Sequence, residues 1–424
     1  MDSHEQQLQR QEQKPQAPML GLHRIVHPAA ERPPPSPPRP PILARGEPPT
    51  KKAKKSNDRP PRPLIDEREL AHLVQFLLCQ LRWQYGRIVD ADGDFAAFDE
   101  EMRRVDPTQS ADDVASCASL MAKFFDGPAA GDRWVPWHTV TCEMELFLMT
   151  QLRAASDLDD REKFVLATAF SGSRWCPFFR AVVWPYFSRE LDMDGAYDGD
   201  DRRGRVLDPD TAFSEGGALY RRVVEWRRRG EKLHTSAFNS YPQRGDGGDR
   251  YPAYICRRMA HFAKIGLAVW PSVSSGACTL QSLDALYRGF DRIGPTMSKV
   301  LLVTNHLWRP ELRILDESCE VGDGADEAFA YLFGGRGGGD DKRKGRLRQL
   351  FDLLTSEECR RLEPRLARMA AWVATRTRAR FPSVPAGAIS DALTIYDLQV
   401  QLCEWRKFRK RIDKKRTIAR GVVL

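Results

Sequence analysis

The residues best suited to chemistry lie in the last third of the chain. Gly289-Phe290-Asp291-Arg292-Ile293-Gly294-Pro295-Thr296 is a short glycine-bearing turn. Leu283, Leu286 and Tyr287 precede it at helical spacing, and Val300, Leu301 and Val303 follow. Helix, tight turn, helix is the shape of a helix-hairpin-helix, with Gly294 letting the backbone turn. The first amides of a helix have no intrahelical acceptor, and the helix dipole favours an anion beside them. Amides after Gly294 could therefore hold a DNA phosphate, with Lys299 adding a cation. Gly289, Ile293, Gly294, Thr296 and Lys299 are the expected DNA-binding residues; an ordinary αα-hairpin is the competing reading.

Carboxylates follow. Asp316, in Ile314-Leu315-Asp316, stands 22 residues after Gly294, and Glu317, Glu320 and Asp323 surround it. Such a cluster could bind Mg²⁺ or raise one carboxyl pKa, and an acidic loop facing water fits as well. Glu404 and Lys407 are three apart on one helix face. They either form a local ion pair worth a few tenths of a kcal/mol, about 0.3, or project into a site. The eight histidines form no HxxxH or HxH pair, and His261 and His306 read as packed or exposed singles. Ser171-Gly172-Ser173 and Ser274-Ser275-Gly276 lack a nucleophile-elbow context. With no GxxxxGK[ST] anywhere, the chain is no P-loop kinase by itself. No metal and no cofactor is expected.

Helices must position these groups. Asp66 reads as an N-cap with Glu69 completing a capping box. Leu70, Leu73, Val74, Leu77, Leu78 and Leu81 then mark an amphipathic helix to about Arg87. Further helices are expected at 95–104, 112–125, 138–155, 160–170, 175–191, 219–229, 251–266, 279–288, 295–306, 325–332, 346–353, 356–380 and 390–413. Asp192–Gly217, Gly245–Asp249 and Gly334–Gly345 read as loops. β-rich pieces are scarce and no β/α alternation or internal repeat is found. The expected class is all-α with long loops.

Composition bounds the rest. The chain has 424 residues and a net charge of +8, mildly favouring polyanionic partners. Much of the excess sits at the ends, in Lys51–Lys55 and Arg406–Arg420. Nine cysteines with no CxxC pair signal neither a disulfide framework nor a zinc knuckle, so reduced thiols are expected. No apolar run is long enough to span a bilayer, and the polar N-terminus does not read as a signal peptide. Residues 1–63 form a low-complexity tail in which Pro33–Pro41 is an expected ligand for Pro-rich-motif-binding proteins. Lys51-Lys52-Ala53-Lys54-Lys55 reads as a nuclear import signal. The expected organisation is a disordered tail (1–63), a helical domain (64–415) and a short C-terminal tail (416–424).

Three blocks carry a resemblance. Ile293-Gly294-Pro295-Thr296-Met297-Ser298 leads into an apolar helix ending at Thr304-Asn305-His306-Leu307. Val321-Gly322-Asp323-Gly324-Ala325 follows Asp316. Gln401-Leu402-Cys403-Glu404-Trp405-Arg406-Lys407-Phe408 comes last. In that order the blocks resemble the helical domain of 5-hydroxymethyldeoxyuridine DNA kinases and alpha-glutamyl/putrescinyl-thymine pyrophosphorylases, which is related to helix-hairpin-helix DNA glycosylases. The resemblance covers roughly residues 160–410. It implies a helix-hairpin-helix glycosylase-like domain acting on, or reading, a modified thymine in duplex DNA, and the basic run at Lys51–Lys55 places that role in the nucleus. It assigns Asp316 to a base-flipping pocket as the catalytic carboxylate, with Glu404 and Lys407 completing it. Two departures stand out: Thr296 occupies the position of the bifunctional glycosylases' lysine, and Asp326-Glu327 replace a basic residue and glycine.

Overall fold

The computed structural model describes residues 65–90, 95–106, 135, 137–156, 158–188, 206–234, 250–317 and 320–419, with side chains to residue 413. The Pro-rich tail, the basic run, the helix expected at 112–125 and the loop at 245–249 lie outside the described residues.

The described residues are helical and contain no strand. The first helix, α1 (Glu67–Gln84), begins where the Asp66 carboxylate accepts the Arg68 and Glu69 amides. The reciprocal half of the expected capping box is replaced, because the Glu69 carboxylate pairs with the Arg409 guanidinium. A π-helical turn, Tyr85–Val89, extends it. Next come α2 (Ala96–Val105), a 3-10 turn (Thr139–Thr141) and α3 (Glu143–Phe147) with a π-helical extension, Leu148–Leu152. Helix α4 (Asp160–Phe170) is capped reciprocally by Asp159 and Glu162. The aromatic stretch forms α5 (Cys176–Phe178), a π turn (Phe179–Val183) and α6 (Trp184–Phe187). Then follow α7 (Pro209–Ala212), α8 (Ala218–Arg228), α9 (Arg250–Ser275), α10 (Leu280–Arg288) and α11 (Pro295–Trp308). The remainder comprises a 3-10 turn (Pro310–Leu312), α12 (Ile314–Glu317), α13 (Asp323–Phe333), α14 (Asp340–Thr355), α15 (Glu357–Leu362), α16 (Pro364–Arg380) and α17 (Ile395–Ala419).

Most departures from expectation have local causes. Helix α9 runs nine residues past the expected end at 266, through Pro271. Pro364 separates α15 from α16, since proline lacks the amide that continuous helix requires. Helix α14 starts inside the expected loop, with Asp340 and Asp341 in its first turn where acids suit the dipole. Helix α17 continues past residue 415, so the expected tail boundary falls inside a helix. Cys142, Cys176, Cys256, Cys278, Cys359 and Cys403 are free, whereas Cys79 is disulfide-bonded, against the expectation of reduced thiols throughout.

One continuous apolar cluster runs through the described helices. Helix α9 packs along α4, and α11 packs on α4, α10 and α12. Helix α17 packs against α1, α12, α13 and α14, so the single turn of α12 is held between α11 and α17. Polar ties fix α17. Trp405 Nε1 donates to His72 Nδ1 at 2.9 Å, and Arg406 and Lys410 each reach Glu327 Oε2 at 2.6 Å. Hydrogen bonds from Lys410 and Arg406 hold the Glu327 carboxyl down at about 2. The acidic pair that departs from the resembled families is thus matched by bases on two helices: Glu327 by these two on α17, and Asp326 by Arg343 of α14 at 3.2 Å.

Where α4 ends, Gly172 lets α9 approach; a Cβ there would lie 2.8 Å from the Met259 backbone. Gly172→Ala should therefore destabilise the fold by about 1–3 kcal/mol through overpacking. Urea denaturation checks this, and an unchanged midpoint would contradict the packing.

Candidate functional site: an acidic, imidazole-lined cavity at the end of α11

The hairpin is built as its sequence suggests. Thr279 and Ser282 cap α10 reciprocally, and Gly289 follows its last turn. Ser298 Oγ donates to Asp284 Oδ1 at 2.5 Å, and Asn305 Nδ2 donates to the buried Tyr287 hydroxyl, so α10 and α11 are pinned at two levels. The tight step of the turn falls elsewhere than expected. Arg292 takes the left-handed conformation at φ 59°, whereas Gly294 is extended at φ −79°. Gly294 contributes bareness: a Cβ there would meet nothing within 4 Å, and it is exposed together with Pro295 and Thr296. No side chain caps α11.

Ile293 is buried and serves the core. Lys299 also turns inward. It is 9% exposed, and its ammonium is held by Gln399 Oε1 at 2.9 Å and Glu320 Oε2 at 3.1 Å. It therefore closes the α11–α17 contact and is not presented to a strand at the turn. The acidic cluster around Asp316 disperses likewise: Glu320 serves Lys299, and Asp323 is exposed beside Arg343. Among the described residues no group of His, Cys, Asp and Glu is arranged to hold a metal.

Asp316 lines a cavity of about 390 Å³. Its Oδ2 is held by Arg313 Nε and Nη2, both at 2.7 Å, and its side chain is 32% exposed. Arg313 takes a left-handed conformation at φ 48°, where the 3-10 turn passes into α12. The other walls bring His138, His306, Arg378 and Asp391, with Asp397 from the first turn of α17.

Asp397 is 3% exposed. Its Oδ1 accepts the Thr139 amide at 2.9 Å, and its Oδ2 accepts the Thr394 hydroxyl at 2.7 Å. Thr394 Oγ1 in turn accepts the Asp397 amide at 3.0 Å. Burial pushes the carboxyl up to about 6 against these hydrogen bonds, and the charge of Asp316 adds to the rise. His138 is clamped by Gln84, whose Nε2 donates to Nδ1 at 2.8 Å while Oε1 accepts the His138 amide at 2.9 Å. Its Nε2–H donates to the Ser390 carbonyl at 2.9 Å. Burial lowers this imidazole to about 4, so it is neutral at pH 7. Burial also lowers His306, whose Nε2–H donates to the Ala388 carbonyl at 3.2 Å.

Glu404 and Lys407 form their own pair at 2.5 Å and line no part of this cavity. Glu404 sits two helical turns beyond Asp397, roughly 10 Å along the α17 axis. It is buried, with Oε2 unpartnered, and burial raises its pKa. Its helix neighbour Cys403 touches Gly324, where a Cβ would lie 2.9 Å from Sγ. The glycine-bearing first turn of α13 and the block on α17 are thus packing partners.

Sequence reasoning therefore reached Asp316 and missed Asp397, His138, Arg313 and Arg378. Thr394-x-x-Asp397 before an apolar run was a legible helix-start pattern; the clamp on His138 comes from residues far away in sequence.

No family model, curated protein or solved structure matches this chain.

Two buried groups oppose each other in acid. Asp397 binds its proton more tightly folded than unfolded, so its contribution to stability falls as pH rises from about 4 to about 6. His138 does the reverse, losing stability as pH falls from 6.5 towards 4. Each effect is worth roughly 3 kcal/mol and they largely cancel. Asp397→Asn should leave the His138 term uncompensated. Its urea stability should then drop more steeply than wild type between pH 6.5 and 4.5, whereas parallel profiles would refute the burial argument.

Proposed function

We propose that this chain is a DNA-associated protein whose α10–α11 hairpin holds a backbone phosphate while the cavity receives an extruded, thymine-derived base. The domain is read as a variation on the helix-hairpin-helix glycosylase arrangement. The observation that carries the reading is the use made of α11. Its N-terminal end leaves uncapped amides bare at Gly294 and Thr296, and towards its other end His306 faces the cavity of Asp316. Thr296 and His306 are roughly 15 Å apart along the axis. That distance equals about four steps of one DNA strand, so the strand can touch the turn and deliver a flipped nucleotide to the cavity.

Within this reading Asp316 is the carboxylate beside the sugar. Ion-paired to Arg313, it offsets positive charge developing at C1′ as the base leaves, and it orients the water that replaces the base. The cavity is large enough for a base, within the usual range for small-molecule sites. Glu404 and Lys407 support α17 from outside it. The basic run at residues 51–55 would direct the protein to the nucleus. A catalytically silent reader is the second reading, favoured by one observation: Arg313 already engages Asp316.

The test separates phosphate holding from base chemistry. Thr296→Pro removes one amide in the first turn of α11, where proline is tolerated. It should weaken binding to every duplex about 10- to 100-fold, the loss of one charge-assisted hydrogen bond. Asp316→Asn should keep binding and abolish base release from 5-hydroxymethyluracil duplexes. Preference for that base without release by the wild type supports the reader. Equal binding of modified and plain duplexes, with no effect of Thr296→Pro, removes the proposal.

A further inference from the structure

The cavity holds a second carboxylate whose surroundings are opposite to those of Asp316. Asp316 is partly exposed and ion-paired, while Asp397 is enclosed and held only by an amide and a hydroxyl. The charged and titratable groups around Asp397 come from every neighbouring element. His138 lies before the 3-10 turn, and Arg378 and Asp391 come from α16 and the loop after it. Asp316, Arg313, Glu311 and His306 come from the α11–α12 side, and Cys142 lies close beside it. Both imidazoles donate their Nε2–H to a backbone carbonyl and burial lowers the pKa of each; His306 Nδ1 has no partner and, in this tautomer, carries no proton to give. Two acids lining one cavity, one paired and one desolvated, offer the division of labour by which glycosidic bonds are cleaved with a carboxylate on the sugar side and an acid on the leaving group.

We propose that Asp397 is the proton donor to the departing base, working across the cavity from Asp316. This rests on the base-receiving reading above. The C1′–N bond breaks and its electron pair goes to the base, which takes the Asp397 proton and leaves neutral. Water forms the new C1′–O bond and gives its proton to Asp316. Asp316 then releases that proton to solvent, and Asp397 regains one. The net change is hydrolysis to free base and an abasic sugar, with water as the only co-reactant. Burial suits Asp397 to this role, since its carboxyl keeps a proton into mildly acidic pH.

The experiment is single-turnover base release by the full chain from two duplexes. One carries 5-hydroxymethyluracil and the other 5-fluorouracil, a leaving group that needs protonation less. Asp397→Asn preserves an acceptor for the Thr139 amide, and duplex affinity and helical circular dichroism check its integrity. The variant should lose about 100-fold in rate on 5-hydroxymethyluracil, the usual contribution of a general acid. The loss should be at least about tenfold smaller on 5-fluorouracil, as leaving-group dependence of acid catalysis requires. The wild-type rate should also fall as pH rises through about 6, a limb absent in the variant. If the wild type releases base but the variant is unimpaired, or is equally impaired on both duplexes, Asp397 is not the donor and the base-release reading stands. If the wild type releases base from neither duplex, both fall.

Discussion

A carboxylate taken out of water at the start of α17 is the constraint around which this cavity is organised. Burying an acid without partners costs several kcal/mol, so it survives only where the chain brings donors to it. Asp397 has two, the amide of Thr139 and the hydroxyl of Thr394. One comes from the segment before α3, the other from the residue that starts its own helix. Meeting that requirement fixes where the 3-10 turn lies against α17. The turn then carries His138 to Gln84 of α1 and to the Ser390 carbonyl. Three distant pieces of sequence, at Gln84, His138–Thr139 and Ser390–Asp397, are joined around one desolvated group.

The same logic explains why α12, a single turn, holds its place. A helix this short has almost no stability of its own. It is clasped by α11 and α17, with Ile314 and Leu315 buried and Lys299 bridging to Gln399 and Glu320 beside it. Asp316 is left as the face of that turn pointing to the opening. Lys299 serves better here than it would at the surface, because its ammonium satisfies buried oxygens that would otherwise lack a donor.

Charge placement in the second half follows complementarity between helices more than a net basic surface. Glu327 anchors Arg406 and Lys410, Glu69 takes Arg409, and Asp326 takes Arg343. Arg406, Arg409 and Lys410 on α17 are therefore engaged in ion pairs to neighbouring helices. The hairpin turn presents exposed backbone at Gly294 and Thr296, and only the proposed function makes that backbone a phosphate contact.

The sequence by itself determined the helical class, most helix positions and the hairpin, because each rests on local periodicity, caps and turn residues. The starts of α4, α10 and α11 are written in Asp159, Thr279 and Gly294-Pro295, and Asp316 was singled out by its distance from the turn. Tertiary structure alone decided which polar residues share a space. Asp397 falls inside the helix expected at 390–413, His138 begins the one expected at 138–155, and Glu404 is assigned by the resemblance to the pocket of Asp316. Burial and long-range hydrogen bonds joined the first two to Asp316 and set Glu404 two turns away. Those effects depend on which helices pack together, and residue spacing along the chain carries no record of that.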